Sequence, residues 1–421
     1  MPDSGASPAS AVARSPDGRA GPGQRVRVLD VLRIPEIRFV VLGTFIVMLG
    51  YGILSPALPL YARSFGVGYD AVGMLISAFA FTRLVFDLVT GPIVNRLGER
   101  TTIVAGCVIV GVTSALAAVA PTFPLLVLFR GAGGAGSAIF FAGIMSYLMR
   151  MAPPEILGRV MSVFFGAFNL GIIMGQPLGG LSAHLFGLAS PLWVYAGACL
   201  LAGLVYQRNL PPPPPRADRA VGVGIRSLPW RRPFVSTLVA NGAYFWMVAS
   251  VFTTLSALFG KERVGLTELG VGMALALASA TEFAVLFPVG AATDRLGRRA
   301  VLVPSFLALA VVVAVTGLAT SIVAYAVVLA LLGVTAGAAG VPIPVLLSDV
   351  VPPEQKATAI GVYRFVGDLG FVLGPLVSGA VASAFGFPAA YALSALPLLV
   401  AALVLFTVPE TLPSARGRHS A

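Results

Sequence analysis

Six charged side chains stand inside otherwise apolar stretches of this 421-residue chain: Arg83, Asp87, Arg130, Glu282, Arg364 and Asp368. A charge in an apolar run is costly unless it meets a partner, water or a proton, so such residues point to ion pairing or proton carriage. Arg83 and Asp87 lie one helical turn apart, as do Arg364 and Asp368, a spacing at which each pair can be satisfied on its own helix. Glu282 has no cation within one turn, which makes it a candidate proton-carrying or cation-recognising carboxylate. Other chemistry has little to stand on. His184 and His419 are the only histidines, too few for a metal cluster or a Ser/His/Asp triad. Cys107 and Cys199 fall inside apolar runs and read as packing residues, not a disulfide framework. No Gly-x-x-x-x-Gly-Lys-Ser/Thr loop occurs, so direct nucleotide hydrolysis is unsupported. The expectation is no cofactor, no metal and no enzyme.

Composition says what must position these charges. Apolar residues make up 57% of the chain, charged residues 11%, and mean hydropathy is +0.92. A water-soluble chain of this length needs far more charge, so the bilayer is the solvent. A net charge of +11 raises the question of nucleic acid. The arginines border apolar runs instead of forming one stripe, which excludes that partner. Apolar segments fall at 37–62, 70–94, 101–120, 122–149, 158–184 and 189–207, then at 233–259, 268–292, 300–319, 321–348, 357–384 and 388–408. Each is long enough to cross ~30 Å of hydrocarbon as a helix, predicting twelve spans. The organisation expected is a disordered basic segment 1–36, a six-helix bundle 37–208, a Pro/Arg-rich linker 209–232, a second bundle 233–408 and a tail 409–421. The first 24 residues lack a signal-peptide apolar core, so the first span is expected to stay as an anchor.

Of the 28 lysines and arginines, 22 fall on the side of the termini and the linker, 3 on the other side and 3 inside spans. Cations concentrate on the cytoplasmic face, which predicts both termini and the linker in the cytoplasm. The halves also repeat. Gly91-Pro-Ile-Val-Asn95-Arg96-Leu-Gly98-Glu99-Arg100 recurs 199 residues later as Gly290-Ala-Ala-Thr-Asp294-Arg295-Leu-Gly297-Arg298-Arg299. The same offset relates Pro153-Pro154-Glu155 to Pro352-Pro353-Glu354, Gly171 to Gly370, Gly175 to Gly374 and Gly180 to Gly379. A constant offset across several landmarks means a duplicated half.

Two six-helix repeats with a Gly-x-x-x-Asp-Arg-x-Gly-Arg-Arg turn after spans 2 and 8 resemble the major facilitator superfamily. The resemblance covers residues 37–408 and implies an all-α membrane protein of twelve helices in two pseudo-symmetric bundles. In that family the turn's carboxylate anchors the loop to a neighbouring helix end and takes part in conformational switching; Asn95 stands at that position in the first half, uncharged but able to accept a hydrogen bond. In span 4, Arg130 followed by Gly131, Gly133, Gly134 and Gly136 resembles the motif of proton-coupled members. In span 5, Gly171, Gly175, Gln176, Pro177, Gly179 and Gly180 resemble the signature of the drug/proton antiporter branch, shifted by one residue at Gln176-Pro177. Small residues there make a smooth, bendable face, suited to bundles that rock past each other.

The resemblance implies a monomeric secondary transporter of the inner or plasma membrane. It would exchange protons for a small apolar or amphipathic compound, drug-like or a secondary metabolite, by alternating access around a midplane cavity. Tyr51, Asn169, Asn241, Tyr244 and Trp246 are candidates to line that cavity. In span 1, Pro56 and Pro59 free backbone carbonyls, which is tolerated where a span lines a cavity; Pro342 and Pro344 break span 10 at the corresponding place. A facilitator or importer of a small metabolite such as a sugar is the nearest alternative, and a transport-dead sensor or scaffold a remote one. Spans 2 and 11 face each other in the family. Arg83 and Asp368 lie at similar depths, ~18 and ~16 Å from the cytoplasmic end, with Asp87 and Arg364 both at ~10–12 Å. The four are therefore expected to pair crosswise as a cytoplasmic-side gate, closed in the outward-facing state. The offset maps Arg83 onto Glu282 and Asp368 onto Asn169, which would pair spans 5 and 8.

Overall fold

The computed structural model describes residues 28–152, 154–211 and 224–410. The tail 1–24, residues 212–223 of the linker, the end of the chain from 411 and Pro153 lie outside the described residues. Among the described residues the chain is helical, without strands. Helices are the expected answer, because only they satisfy every backbone polar group within one segment in hydrocarbon. Ten of them are long and apolar enough to cross a bilayer. The last of these ten is two helices meeting at Gly386, and a further 20-residue helix, Ser190–Asn209, brings the long helices among the described residues to twelve.

The first half comprises α1 (Pro35–Arg63), α2 (Tyr69–Asp87, continued by Thr90–Leu97), α3 (Glu99–Ala118), α4 (Phe123–Met151), α5 (Pro154–Phe186) and α6 (Ser190–Asn209). The second comprises α7 (Arg232–Glu262), α8 (Glu268–Leu296), α9 (Arg298–Thr316) and α10 (Ile322–Val350). It ends with α11 and α12, the arms of Lys356–Phe406 before and after Gly386. The turns at Gly98 and Gly297, with their flanking arginines, mark the basic end of the molecule. Both turn glycines have positive φ, 78° and 110°, a region that a side chain resists.

Several spans differ from unbroken rods for local reasons. Pro56 removes the donor that would bond the Gly52 carbonyl, and the Ser55 hydroxyl donates to that carbonyl at 3.3 Å instead. α1 therefore stays continuous, and Pro56 and Pro59 are buried among neighbouring helices. α2 breaks at Leu88–Val89, where the Thr90 hydroxyl donates to the Asp87 carbonyl at 3.0 Å. In α7, Val248–Leu255 is a π-helical turn. There Thr253 and Thr254 donate to the carbonyls of Val248 and Ala249, five residues back, at 3.1 and 2.9 Å. α10 is interrupted at Val341, just before Pro342.

The halves meet where α2 packs on α11 and α5 on α8. The approach is made by glycines against backbone, and it repeats with the 199-residue offset. Gly73 lies on the Pro375 carbonyl, and Gly272 on that of Gln176. Gly379 lies on the Tyr69 carbonyl, and Gly180 on that of Glu268. All four contacts belong to the end opposite the basic turns. Toward the basic end, Gly91, Gly158, Gly166, Gly290 and Gly361 on the same four helices have nothing within 4 Å of where a Cβ would stand. This conformation is sealed at the opposite end. The span-5 glycines were expected to serve the rocking surface, but Gly171, Gly175 and Gly179 pack on α1 within their own half, and Gly180 alone of that set reaches α8.

Candidate functional site

Midway along α2, between Tyr69 and Leu97, Arg83 donates to the Asp368 carboxylate of α11. One turn nearer the basic end, Arg364 of α11 approaches Asp87 of α2 at 3.4 Å. The crosswise pairing expected from matched depths is thus the one present, not the two pairs along single helices. Arg83 also lies over the Phe371 ring at 5.4 Å, and Arg364 over Phe141 at 4.9 Å. The four side chains join the halves through one charge layer. The expected state differs, however: the layer is assembled while the opposite end is sealed, whereas a basic-end gate was expected to form when that end was open.

Arg130 sits in α4 at 3% exposure, its guanidinium 4.5 Å from the Phe79 ring centre. Its Nε and Nη1 have no hydrogen-bond partner. Gly131, Gly133, Gly134 and Gly136 flank it, and Gly134 lies on the Phe79 carbonyl, bringing α2 close enough to supply that ring. Tyr51 is within electrostatic reach of Arg83 and Arg130 and packs edge-on against Tyr195 at 6.4 Å.

In the second half the Tyr244 hydroxyl donates to Glu282 Oε1 at 2.9 Å. Gly340 makes room for the Tyr244 ring, since a Cβ there would come within 2.8 Å of it. The expected partnership of Glu282 with Asn169 is not made. Asn169 donates instead to the Phe165 carbonyl on its own helix at 2.8 Å, as the short amide reaches one turn back more easily than across to α8. Asn241 is fully buried and donates to the Tyr363 carbonyl at 2.7 Å, tying α7 to α11. It therefore braces two helices, which is not the cavity-lining part expected of it. The Trp246 Nε1 and the Gln176 Oε1 are buried without partners. At Gln176 the contact with α8 uses the backbone carbonyl, so the proline displaced to Pro177 leaves that contact intact.

The basic turns are less alike than their sequences. Arg298 donates through Nε to Asp349 at 2.7 Å and lies 3.8 Å from Asp294. The Glu410 carboxylate accepts from the backbone N–H groups of Arg298 and Arg299 at 2.9 and 3.2 Å, capping α9. In the first half Glu99 pairs with Arg150, and Arg100 donates to the Gln207 carbonyl. Asn95, Arg96 and Asp294 are exposed. No anchoring of Asn95 to a neighbouring helix end occurs among the described residues. Gly91, Gly98, Gly290, Arg295 and Gly297 complete the turns without reaching the charge layer.

Two features escaped the sequence reading. Glu99–Arg150 and Arg298–Asp349 occupy positions related by the 199-residue offset, with the charges exchanged. At the opposite end, Arg63 pairs at 2.9 Å with Glu262, its own repeat mate, and Tyr69 donates to the same carboxylate. His184 lies 3.4 Å from Glu268, which also pairs with Lys261 at 2.8 Å. The available signal was opposite charge at one offset: residues 63 and 262 differ by 199.

The family model of the Major Facilitator Superfamily matches residues 40–281 and 261–420. An uncharacterized MFS-type transporter of Methanocaldococcus jannaschii is 22% identical over 371 residues, covering 86% of this chain and 95% of that one. The quinolone resistance protein NorA of Staphylococcus aureus is 24% identical over 242 residues, 55% of this chain and 60% of NorA. Among solved structures, a bacterial homolog of the human lysosomal transporter Spinster, inward-facing and unoccupied, superposes with TM-score 0.74. It is 15% identical and covers 91% of this chain and 97% of its own. The nucleoside transporter NupG gives TM-score 0.70 at 15% identity, covering 89% and 100%. With its twelve helices, its repeated basic turns and a family match along nearly its whole length, the chain belongs to the Major Facilitator Superfamily, a family of membrane transporters and not of enzymes.

Proposed function

We propose that the protein is a proton-coupled exporter of small amphipathic compounds that works by alternating access. Both termini and the linker face the cytoplasm, so that the basic end is the inner one. The cation asymmetry along the sequence supports this orientation. The likeness to NorA, at 24% identity, supports the export direction.

The observation that carries the reading is the charge layer of Arg83, Asp368, Arg364 and Asp87 across the interface of α2 and α11. Opening the halves along this seam separates each arginine from its carboxylate. Asp368 is the most buried of the four, at 10% side-chain exposure, and stripping a buried carboxylate of its partner is costly because a charge is left uncompensated. A proton on Asp87 or Asp368 cancels one member of the pair and lowers the cost of separation. Proton occupancy and rocking are thereby linked. Glu282, which accepts from the Tyr244 hydroxyl in the second half, is a further proton or cation acceptor on the same route.

The test is proton-driven transport by Arg83→Asp, Asp368→Arg and the double reversal, in everted vesicles with an imposed pH gradient. Each single reversal is expected to stop transport and the double to recover a substantial part of it. A double no better than the worse single removes the layer from the mechanism. Substrate-triggered proton release from the vesicles distinguishes exchange from import.

A further inference from the structure

Two cavities lie away from the charge layer's centre, and their charges differ. One, of about 500 Å³ at the opposite end, is lined by Arg63, Lys261, Glu262 and Glu268. Those charges already pair with one another at 2.9 and 2.8 Å. The other, of about 280 Å³, opens between α10 and α11 at the basic end. Its walls are the apolar side chains of Pro344, Leu347, Val351 and Ile360, its charged residues are Lys356 and Arg364, and no residue lining it is acidic. Lys356 Nζ donates at 2.9 Å to the Ser348 hydroxyl, a neutral group. Arg364 is 39% exposed at its side chain, and its contact with Asp87 is long, at 3.4 Å. Two cations thus border an apolar recess, one without a carboxylate at its ammonium and the other loosely held.

We propose that this cavity binds a small, single-chain carboxylate amphiphile, its head group between Lys356 and Arg364 and its chain along Leu347, Val351 and Ile360. The volume lies at the low end of ligand pockets, which suits one short chain and not a two-chain lipid. Charge complementarity selects an anion. The inference rests on the transport reading and names a substrate class for it. It also supplies a trigger: a carboxylate on Arg364 competes with Asp87, so occupancy loosens one of the two pairs that join α2 to α11. A ligand that favours the loosened state shifts the population toward it.

Binding of decanoate, decanol and decyltrimethylammonium to the purified full-length protein, in phosphatidylcholine nanodiscs by titration calorimetry, tests the idea. Decanoate is expected to bind at least tenfold tighter than the other two. Lys356→Gln should weaken it about tenfold, and Ile360→Trp, at a position 48% exposed, should block it. Asp87→Asn should tighten it severalfold by freeing Arg364, an effect that a merely structural role would not give. Equal binding of decanol and decanoate, or unchanged decanoate binding in both Lys356→Gln and Ile360→Trp, overturns the site. Absence of tightening in Asp87→Asn overturns the competition. Displacement of decanoate by phosphatidylglycerol added to the nanodisc shows a lipid occupant and overturns the free-amphiphile assignment. Decanoate binding without proton-driven transport counts against the exporter reading alone. Proton-driven transport of other compounds without decanoate binding counts against this site alone.

Discussion

Arg130 and Glu282 show how far a single residue's type carries an argument. Each is a charge in an apolar span, and each finds a different answer: an aromatic face for the guanidinium, a phenol for the carboxylate. Arg130→Lys keeps the charge but loses the planar group that lies on Phe79. A desolvated cation–π contact is worth about 2 kcal/mol, and an ammonium keeps part of it, so coupling should fall by less than the ~30-fold that losing the whole contact would give. Arg130→Ala should abolish proton-driven uptake into everted vesicles at normal expression, and unimpaired uptake would remove Arg130 from the mechanism. Glu282→Gln keeps an oxygen for the Tyr244 hydroxyl but has no proton to exchange. It should flatten the pH dependence of transport while leaving the protein folded. An unchanged pH profile would reassign Glu282 to packing. That both are charges inside apolar spans was legible in the sequence. Their partners were not, because Phe79 and Tyr244 are reached only through packing.

The charge-exchanged pins Glu99–Arg150 and Arg298–Asp349 belong to the scale of elements. Each fixes the start of the helix after a basic turn to the far end of the next one. What the duplicated halves share at this place is the presence of a pair, while its polarity differs. Glu99 is 3% exposed at its side chain, so removing Arg150 leaves a buried carboxylate without a counter-charge, held at Oε1 by the Ser146 hydroxyl at 3.0 Å. Arg150→Asp should therefore lower stability by about 3 kcal/mol, read as a lower melting temperature in detergent. Adding Glu99→Arg rebuilds the second half's polarity and should recover most of the loss. A double variant as unstable as the single would show that the pin depends on more than charge. The π-helical turn in α7 lies at the same scale and was invisible beforehand. Two threonines that reach five residues back do not alter an apolar periodicity.

Across the whole molecule, the sealed end raises the question of what holds it shut. The Arg63–Glu262 pair is about a third exposed on each side and is worth about 0.2–1 kcal/mol. That shifts a population by no more than about fivefold. The four glycine–backbone contacts are the stronger element, since they allow the helix backbones to touch. Gly73→Leu or Gly272→Leu should therefore prop this end open, whereas Glu262→Gln should change its opening only a few-fold. Labelling of a cysteine introduced near Gly66 measures it against a quiet background, because Cys107 and Cys199 are both buried. Equal labelling of the leucine variants and the parent would show that the glycines do not control closure.

Composition, segment length and the 199-residue offset determined the class, the twelve passes and the two related halves, because bilayer thickness and backbone hydrogen bonding leave a long apolar chain few alternatives. Matched depths on facing helices, with the family's arrangement to say which ones face, were enough to propose the Arg83–Asp368 and Arg364–Asp87 pairs. Rotation of a helix about its own axis is not encoded in depth. Only the tertiary structure decided that Asn169 turns back to its own helix, that Asn241 braces α11, that the span-5 glycines serve α1, and that the charge layer coexists with a sealed opposite end. Each of these depends on which face a helix presents once its neighbours are packed around it.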